Sequence, residues 1–359
     1  MREGQARPLT MVSVRPVVAS AATLAAGIMR SIAITAYAPA SRRREFEQIA
    51  GNPGAHATRC RIFREKGAGT VPTIVLGGFV PDATETVEFQ RSMLRRHGSI
   101  YYLNYPRSGF CRQMFSAQLS DLIEDLYRKG QKPLVMGVSF GAGLLVEFLK
   151  TAPEQIHQMI RGLVLASPVI CTDDLIRPSR TKGEGVRILE NNLKKILAAD
   201  SDNHDELKKT IERARRCFQA LFNAGAENRI LGVRHLSIRR KINGVIEQTS
   251  ARGGFERVRA LGDFRFPDAG RSVFAGPVLV LLAEREDDIL VQSSPTLALF
   301  REGSCHEQIF PRCSVKTVRS GNPDDGVAHA SLIFHCDAYN SLIDGWYHKI
   351  LYPRLQMAV

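Results

Sequence analysis

One short segment combines a serine with the glycines that would let its hydroxyl act as a nucleophile. The segment Gly137-Val138-Ser139-Phe140-Gly141 has the pattern G-x-S-x-G, with the apolar run Leu134-Val135-Met136 before it and a helical pattern over Gly143–Leu149 after it. A serine between a strand and a helix needs a sharp turn, and flanking glycines let the backbone pass closely without Cβ clashes. The hydroxyl then lies at a helix N-terminus, where the helix dipole favours developing negative charge. We therefore predict that Ser139 is a nucleophile; the alternative is a tight turn that merely needs small residues.

In this strand–turn–helix context the segment resembles the nucleophile elbow of the α/β-hydrolase superfamily. The resemblance covers about residues 70–170 and 275–350 and leaves the stretch between them as a variable cap. It implies an α/β fold with a mostly parallel central sheet and helices on both faces. It also implies a triad in the chain order serine, acid, histidine. A base is required because a serine hydroxyl is a weak nucleophile until its proton is removed.

The triad acid is expected after a late strand, which here is Pro277–Leu282. That strand runs into the sequence Ala283-Glu284-Arg285-Glu286-Asp287-Asp288-Ile289. The usual family pattern, an acid followed by one residue and then Ile or Val, selects Asp287. Glu286 and Asp288 remain competing candidates, and at least two of these carboxylates must be solvated.

The triad histidine is expected after the last strand, for which Val315–Val318 is the candidate. The loop at residues 320–328 follows, and His329 then stands at the start of the closing helical pattern. We therefore expect His329 to be the general base. His335 lies inside the helical pattern and is expected to be structural, whereas His306 precedes the last strand and is a weaker rival.

Two backbone N–H groups should hold the oxygen that becomes charged in a tetrahedral intermediate. By the resemblance, one belongs to Phe140, directly after the nucleophile, and the other to Phe79, after Gly77-Gly78. Many family members have His-Gly where this chain has Gly-Gly, so the backbone donors remain while any role of that histidine is lost. An ordinary strand-ending turn is the alternative, and no G-x-G-x-x-G follows that would indicate a dinucleotide site. Arg107, in the loop after the next strand, is expected to form a salt bridge; contact with an acidic substrate group is the alternative.

The elements that must position these residues alternate between strand and helix. Continuous apolar runs predict buried strands of a parallel sheet. They lie at Thr73–Leu76, Ile100–Leu103, Leu134–Met136, Leu163–Ala166, Pro277–Leu282 and Val315–Val318. Helical spacing marks Ser116–Lys129, and a helix over Ala330–Ile350 is expected to close the chain.

The alternation of strands and helices is interrupted between about Cys171 and Ser272, where polar, helix-forming stretches such as Glu206–Leu221 occur. An insertion at this point predicts a lid over the carboxyl ends of the strands. The predicted domains are a leader or helix at residues 1–45, the first part of the core at 46–170, a helical cap at 171–272 and the second part of the core at 273–359.

Length, net charge and cysteine content limit the kinds of protein that this sequence can encode. The 359 residues, 44% of them hydrophobic, suffice for one large domain or a core plus a cap. The net charge of +13 is compatible with nucleic acid, an anionic membrane surface or acidic substrates. Because no nucleic-acid module appears, we expect a solvated basic surface and no nucleic-acid partner. Seven cysteines without a CxxC pair argue against a disulfide framework or a cysteine zinc site.

The N-terminal segment is ambiguous. Val17–Met29 is an apolar run preceded by arginines and interrupted at Arg30. It is too short for an uninterrupted spanning helix, which needs about 20 apolar residues. A signal peptide fits the charges and the small residues, except for Arg30. We expect a cytoplasmic protein, with export or membrane association through residues 1–40 as the alternative.

The resemblance implies a serine hydrolase that cleaves a carboxylic ester or thioester through an acyl-enzyme, with no metal or organic cofactor. The cap and the phenylalanines near the elbow favour an apolar acyl or alcohol group. One alternative is an acyltransferase or thioesterase acting on a carrier-linked acyl group, where the excess of Lys and Arg would contact an acidic carrier, coenzyme A or, weakly, a membrane. The other is a catalytically inactive protein that binds through its cap, against which the intact order of serine, acid and histidine argues.

Overall fold

An eight-stranded sheet runs through the protein, in a computed structural model that describes residues 33–177, 188–199, 208–216, 219, 232–268, 270–301, 306–322 and 324–352. The strands are β1 (Ile34–Ala36), β2 (Arg61–Glu65), β3 (Thr73–Leu76), β4 (Ile100–Asn104), β5 (Leu134–Val138), β6 (Gly162–Ala166), β7 (Pro277–Ala283) and β8 (Arg312–Val318). Their order in the sheet is β1-β2-β4-β3-β5-β6-β7-β8. Only β2 runs against its neighbours β1 and β4 among the described strands; the other pairs are parallel. The predicted mostly parallel sheet is confirmed.

The inner strands are the apolar runs of the sequence. Every side chain of β3, β4, β5 and β6 is buried, as expected for parallel strands covered on both faces. The sequence analysis missed β1, an edge strand of three residues, and β2, which lies between β1 and β4 but is not a continuous apolar run. The sequence of β2, Arg-Ile-Phe-Arg-Glu, mixes charged and apolar residues, since part of this strand faces solvent.

Helices cover the two faces of the sheet. They are α1 (Arg43–Gly51), α2 (Ala83–Thr86), α3 (Arg91–His97), α4 (Arg112–Arg128), α5 (Phe140–Thr151), α6 (Glu154–Gln158), α7 (Ile188–Ala198), α8 (Val233–Gln248), α9 (Ala251–Gly262), α10 (Pro295–Arg301), α11 (His306–Ile309) and α12 (Cys336–Leu351). The closing helix was expected from Ala330 but begins at Cys336. Ala330 has a φ of 53°, which a right-handed helix does not accommodate.

Alternate side chains of the strands enter two separate cores. On β5, Val135 belongs to the core on one face and Met136 to the core on the other. The second core is completed by α12, through the buried Tyr339, Ile343 and Tyr347. Burial on both faces fixes the strand register, because a slip of one residue would exchange the two sets of side chains.

The described parts of the chain between β6 and β7 that form regular structure are mainly helical: α7, residues 208–216, α8 and α9. At the other end of the chain, β1 extends the sheet within the segment predicted as a leader. The apolar run Val17–Met29 lies outside the described residues. Of the helices described, none has the length and apolarity needed to cross a bilayer.

Candidate active site

Ser139 occupies a sharp turn between β5 and α5. Its backbone has φ 51° and ψ −113°, a left-handed conformation that non-glycine residues rarely adopt. The flanking glycines are required by close packing. A Cβ on Gly137 would lie 2.7 Å from the Cα of Ala142, and one on Gly141 would lie 2.4 Å from the carbonyl oxygen of Gly77. The structure therefore contains the strand–turn–helix geometry that the G-x-S-x-G pattern predicts.

His329 lies against the Ser139 side chain, although 190 residues separate the two in sequence. Its Nε2 atom is 2.9 Å from Ser139 Oγ. The imidazole projects from the loop that follows β8, and its side chain is largely buried. With the proton on Nδ1, Nε2 is an acceptor for the serine hydroxyl.

The other imidazole nitrogen contacts Glu286, not Asp287. His329 Nδ1 is 2.5 Å from Glu286 Oε2, and the backbone N–H of Ala283 donates to Glu286 Oε1 at 2.7 Å. Asp287 is 53% exposed and pairs with Arg301 at 3.2 Å. The prediction that Asp287 orients the histidine is therefore wrong, and the competing candidate Glu286 takes that place.

The pairing of β7 with β8 explains this one-residue difference. Beyond the ends of both strands, Arg285 and Ala328 form an isolated parallel bridge. The next residue on each side, Glu286 and His329, is thereby brought alongside the other. Asp288, the remaining candidate, is partly exposed and pairs with Arg285 at 3.0 Å. The sequence pattern gives no sign of this bridge, because residues 319–327 intervene before pairing resumes.

Glu284 closes the loop that carries the histidine. Its Oε2 atom accepts hydrogen bonds from the backbone N–H groups of Ser320 at 3.0 Å and Val327 at 3.2 Å. These two bonds hold the pKa of Glu284 below its ordinary value. The carboxylate thus joins the two ends of the loop directly before His329.

Glu286 is fully buried yet remains a carboxylate. Burial opposes ionisation, but the charge of His329 and the hydrogen bonds from His329, Ala283 and Ser167 hold the pKa of Glu286 below its ordinary value. A buried anion beside Nδ1 favours the tautomer with Nε2 unprotonated and stabilises an imidazolium.

Ser167 supports this pair from the end of β6, and the sequence analysis missed it. It is fully buried, has a φ of 45°, and accepts a hydrogen bond from the Ala330 N–H at 2.9 Å. The Ser167 side chain also helps to hold the pKa of Glu286 below its ordinary value. The one available signal was its position directly after the apolar run Leu163–Ala166, which matches the position of Ser139 after β5.

Solved structures share this arrangement of strands and helices, although no family model and no curated sequence matches the chain. An esterase, EaEST, from Exiguobacterium antarcticum superimposes with a TM-score of 0.55 and 13% identity over 80% of this chain and 95% of that one. An epoxide hydrolase from Bacillus megaterium gives a TM-score of 0.56 and 14% identity over 81% and 98%. A bromoperoxidase from Bacillus anthracis gives 0.52 and 19% identity over 79% and 94%.

The chain has the α/β-hydrolase fold. In this fold the triad follows the chain order serine, acid, histidine, and the acid is either Asp or Glu. Ser139, Glu286 and His329 follow that order at the ends of β5, β7 and β8.

The segment after β3 lies beside the elbow, where the α/β-hydrolase fold places its oxyanion hole. The Phe79 ring packs edge-on against the Phe140 ring with centroids 5.2 Å apart, and the Tyr105 hydroxyl donates to the Gly77 carbonyl at 2.9 Å. Phe140 begins α5, so its N–H is one of those that have no acceptor within the helix. The assignment of the Phe79 and Phe140 amides as oxyanion donors stays a prediction.

A buried arginine from α9 fixes the same segment, and the sequence analysis did not identify it. Arg257 donates from Nη1 to the Phe79 carbonyl at 3.1 Å and from Nη2 to the Pro106 carbonyl at 2.8 Å. Burial, with a contribution from Arg107, lowers the pKa of Arg257 to about 10, so it stays charged at neutral pH. Arg107 itself forms two hydrogen bonds to Asp82, at 2.8 and 2.6 Å, which confirms the predicted salt bridge.

Two cavities differ in position and lining. A small apolar one, of about 40 Å³, lies between Phe79 and the helices that precede β7; its lining includes Ile196, Ile211, Ile246 and Val258. A larger one, of about 1000 Å³, lies at the amino ends of β6, β7 and β8, the opposite edge of the sheet from Ser139. Of these two cavities, the small one lies nearer the elbow, through Phe79, whose ring packs against that of Phe140.

The two rival histidines have other surroundings. His335 precedes α12 and contacts Ser331 Oγ at 2.8 Å and the Asp325 carbonyl at 3.2 Å, which fits the structural role expected for it. His306 begins α11, and its ring lies 6.3 Å from that of Phe300.

Proposed function

We propose that the protein is a serine hydrolase that cleaves a carboxylic ester or thioester through an acyl-enzyme on Ser139. One observation carries the proposal: a single imidazole lies 2.9 Å from Ser139 Oγ and 2.5 Å from a buried carboxylate. The left-handed turn at Ser139 supports it, because backbone strain of this kind persists at functional sites.

In the acylation half-reaction, His329 Nε2 takes the Ser139 proton while Oγ attacks the substrate carbonyl carbon. The carbonyl oxygen becomes an oxyanion, for which the amides of Phe79 and Phe140 are the proposed donors. Glu286 stabilises the imidazolium without taking its proton. His329 then protonates the departing alcohol or thiol, the bond to the leaving group breaks, and the acyl group stays on Oγ.

Deacylation repeats these steps with water. His329 removes a proton from the water as it attacks the acyl carbon, and the oxyanion forms again at the same two amides. Collapse of the intermediate breaks the bond to Oγ, and His329 returns its proton to Ser139. The products are the free acid and the original enzyme.

The small apolar cavity favours a short acyl group. It adjoins Phe79, and its described lining is mainly aliphatic, with Thr249, Arg215 and Arg257 as the polar members. A long acyl chain would not fit a volume of about 40 Å³ without movement of the helices above it. Esterases among the similar structures are in keeping with an ester substrate.

The proposal is tested by turnover of p-nitrophenyl acetate and butyrate by the full chain. Ser139→Ala should lower kcat by roughly 10⁶-fold while the circular dichroism spectrum and the melting temperature stay near those of the wild type. Ser108→Ala, at an exposed loop serine, serves as the matched control and should keep full activity. Wild-type turnover by Ser139→Ala, or a wild-type protein inert towards both esters and thioesters, would contradict the proposal. Preferential transfer of the acyl group to an added thiol or alcohol would assign an acyltransferase instead.

A further inference from the structure

A second group of side chains with ligand chemistry lies outside the triad, where α3 meets α12. His97 ends α3, and Asp344 and His348 are spaced i,i+4 on α12. Residues four apart on a helix share one face, so both α12 side chains point towards the same region. The ligating atoms of all three residues lie within 4.8 Å of one another.

We propose that His97, Asp344 and His348 bind a zinc ion. Two imidazole nitrogens and one carboxylate oxygen are a donor set that zinc accepts, with water as a fourth ligand. Mg²⁺ and Ca²⁺ prefer sites built from oxygen ligands alone, so this set discriminates against them.

The distances suit an ion held between the two helices. Asp344 Oδ1 is 2.8 Å from His97 Nε2 and 3.8 Å from His348 Nε2. Ligand atoms about 2.0–2.1 Å from a zinc ion in a tetrahedron are roughly 3.3 Å from one another. The two distances from Asp344 Oδ1 lie on either side of this value. The His348 side chain is 58% exposed, and its ring packs against those of His97 and Tyr352, whereas His97 is 3% exposed.

The other contacts of these three side chains leave their ligating atoms accessible to a metal ion. Arg96 binds the other oxygen of Asp344, Oδ2, at 2.9 Å, which leaves Oδ1 for a monodentate bond to the metal. The bound ion would take the place of the hydrogen bond between His97 and Asp344 and would link α3 to α12.

The test is calorimetric titration of ZnCl₂ into tag-free, chelator-treated full-length protein. We expect one ion per chain, with affinity at least about tenfold weaker in His348→Ala, since removal of even an indirect support costs that much at zinc sites. His56→Ala, at another exposed histidine, is the matched control and should bind as the wild type does. Asp344→Asn should also weaken binding, because it removes the anionic ligand.

A second readout separates this site from adventitious binding by thiols. Co²⁺ bound in place of zinc should give visible d–d absorption without thiolate charge-transfer bands, and zinc should raise the melting temperature of the wild type but not of His348→Ala. Ester hydrolysis should be unaffected by His348→Ala. Equal zinc affinity in wild type and His348→Ala, or no binding by the wild type, would overturn the proposal.

Discussion

The imidazole of His329 is held from both sides by groups that the chain supplies from distant positions. Ser139 lies at Nε2, and the Glu286 carboxylate lies at Nδ1. A carboxylate in this position fixes the tautomer and stabilises the charge that develops on the ring. At the residue scale, the contact of Glu286 rather than Asp287 with His329 therefore predicts which carboxylate affects the reaction rate.

Replacing each carboxylate by its amide should show which of Glu286 and Asp287 acts on His329. Glu286→Gln should lower kcat by roughly 10³–10⁴-fold, because the amide cannot stabilise the imidazolium and permits the wrong tautomer. Asp287→Asn is the matched control. It removes an exposed ion pair with Arg301, which contributes about 1 kcal/mol or less. Steady-state kinetics on both variants decide the matter, and equal losses would show that Glu286 is not the orienting acid.

The hydroxyl of Ser167 should also affect the rate. Ser167→Ala removes the acceptor of the Ala330 N–H, next to His329, and a hydroxyl that helps to keep Glu286 ionised. A buried group left without its partner costs about 1–3 kcal/mol, so kcat should fall by roughly 10- to 100-fold with KM little changed.

Ser167→Gly distinguishes loss of the hydroxyl from backbone strain. Glycine adopts a φ of 45° without cost, so any penalty that comes from strain alone would disappear in this variant. We expect Ser167→Gly to be as impaired as Ser167→Ala. Full activity in either variant would exclude a positioning role for the hydroxyl.

At the scale of secondary structure, helix α9 is tied through Arg257 to the segment after β3. The guanidinium satisfies the carbonyls of Phe79 and Pro106, which belong to the loops after β3 and β4. One side chain from the inserted helices thus sets the positions of two loops beside the elbow.

Removal of this guanidinium should damage both stability and rate. Arg257→Met keeps much of the stem but leaves the two carbonyls without their donor, which costs about 1–3 kcal/mol for each buried group. Urea unfolding should report that loss, and kcat should fall as the Phe79 segment loosens. Arg259→Met, on the exposed side of the same helix, should change neither. If the two variants behave alike, α9 does not fix the loop through Arg257.

The strands differ in how well their sequences reveal them, and the reason is burial. Runs such as Thr73–Leu76 and Leu163–Ala166 are buried on both faces, so hydrophobicity alone marks them. The strand Arg61–Glu65 is partly exposed and carries charged residues among its apolar ones, so no apolar run marks it in the sequence. The acid was misplaced for a different reason: the register between Arg285 and Ala328 is a tertiary pairing that local patterns do not encode.

At the scale of the whole molecule, the parallel sheet gathers residues from three distant parts of the chain at one edge. The order of Ser139, the acid and His329 along the sequence was enough to predict which strands carry them. The described helices before β7 enclose a small apolar cavity beside Phe79. The size of this cavity could not be predicted from the sequence, because it depends on how these helices pack over Phe79.

The size of that cavity leads to a prediction about substrates. The wild type should hydrolyse p-nitrophenyl acetate and butyrate with higher kcat/KM than the palmitate. Ile211→Ala enlarges the cavity and should shift the preference towards longer chains. Ile238→Ala, a buried change outside the cavity lining, is the matched control and should leave the preference unchanged. A wild-type preference for palmitate, or the same shift in both variants, would show that this cavity does not hold the acyl group.

Labelling by a fluorophosphonate tests the central claim most directly, since this electrophile reacts much faster with a serine that an adjacent base activates than with an ordinary serine. Intact-mass and peptide mass spectrometry should find one adduct per chain, on Ser139 of the wild type. Ser139→Ala should not be labelled, and His329→Ala should react far more slowly. A wild-type protein that stays unlabelled, or an adduct on another serine, would contradict the account of Ser139, His329 and Glu286 as a catalytic unit.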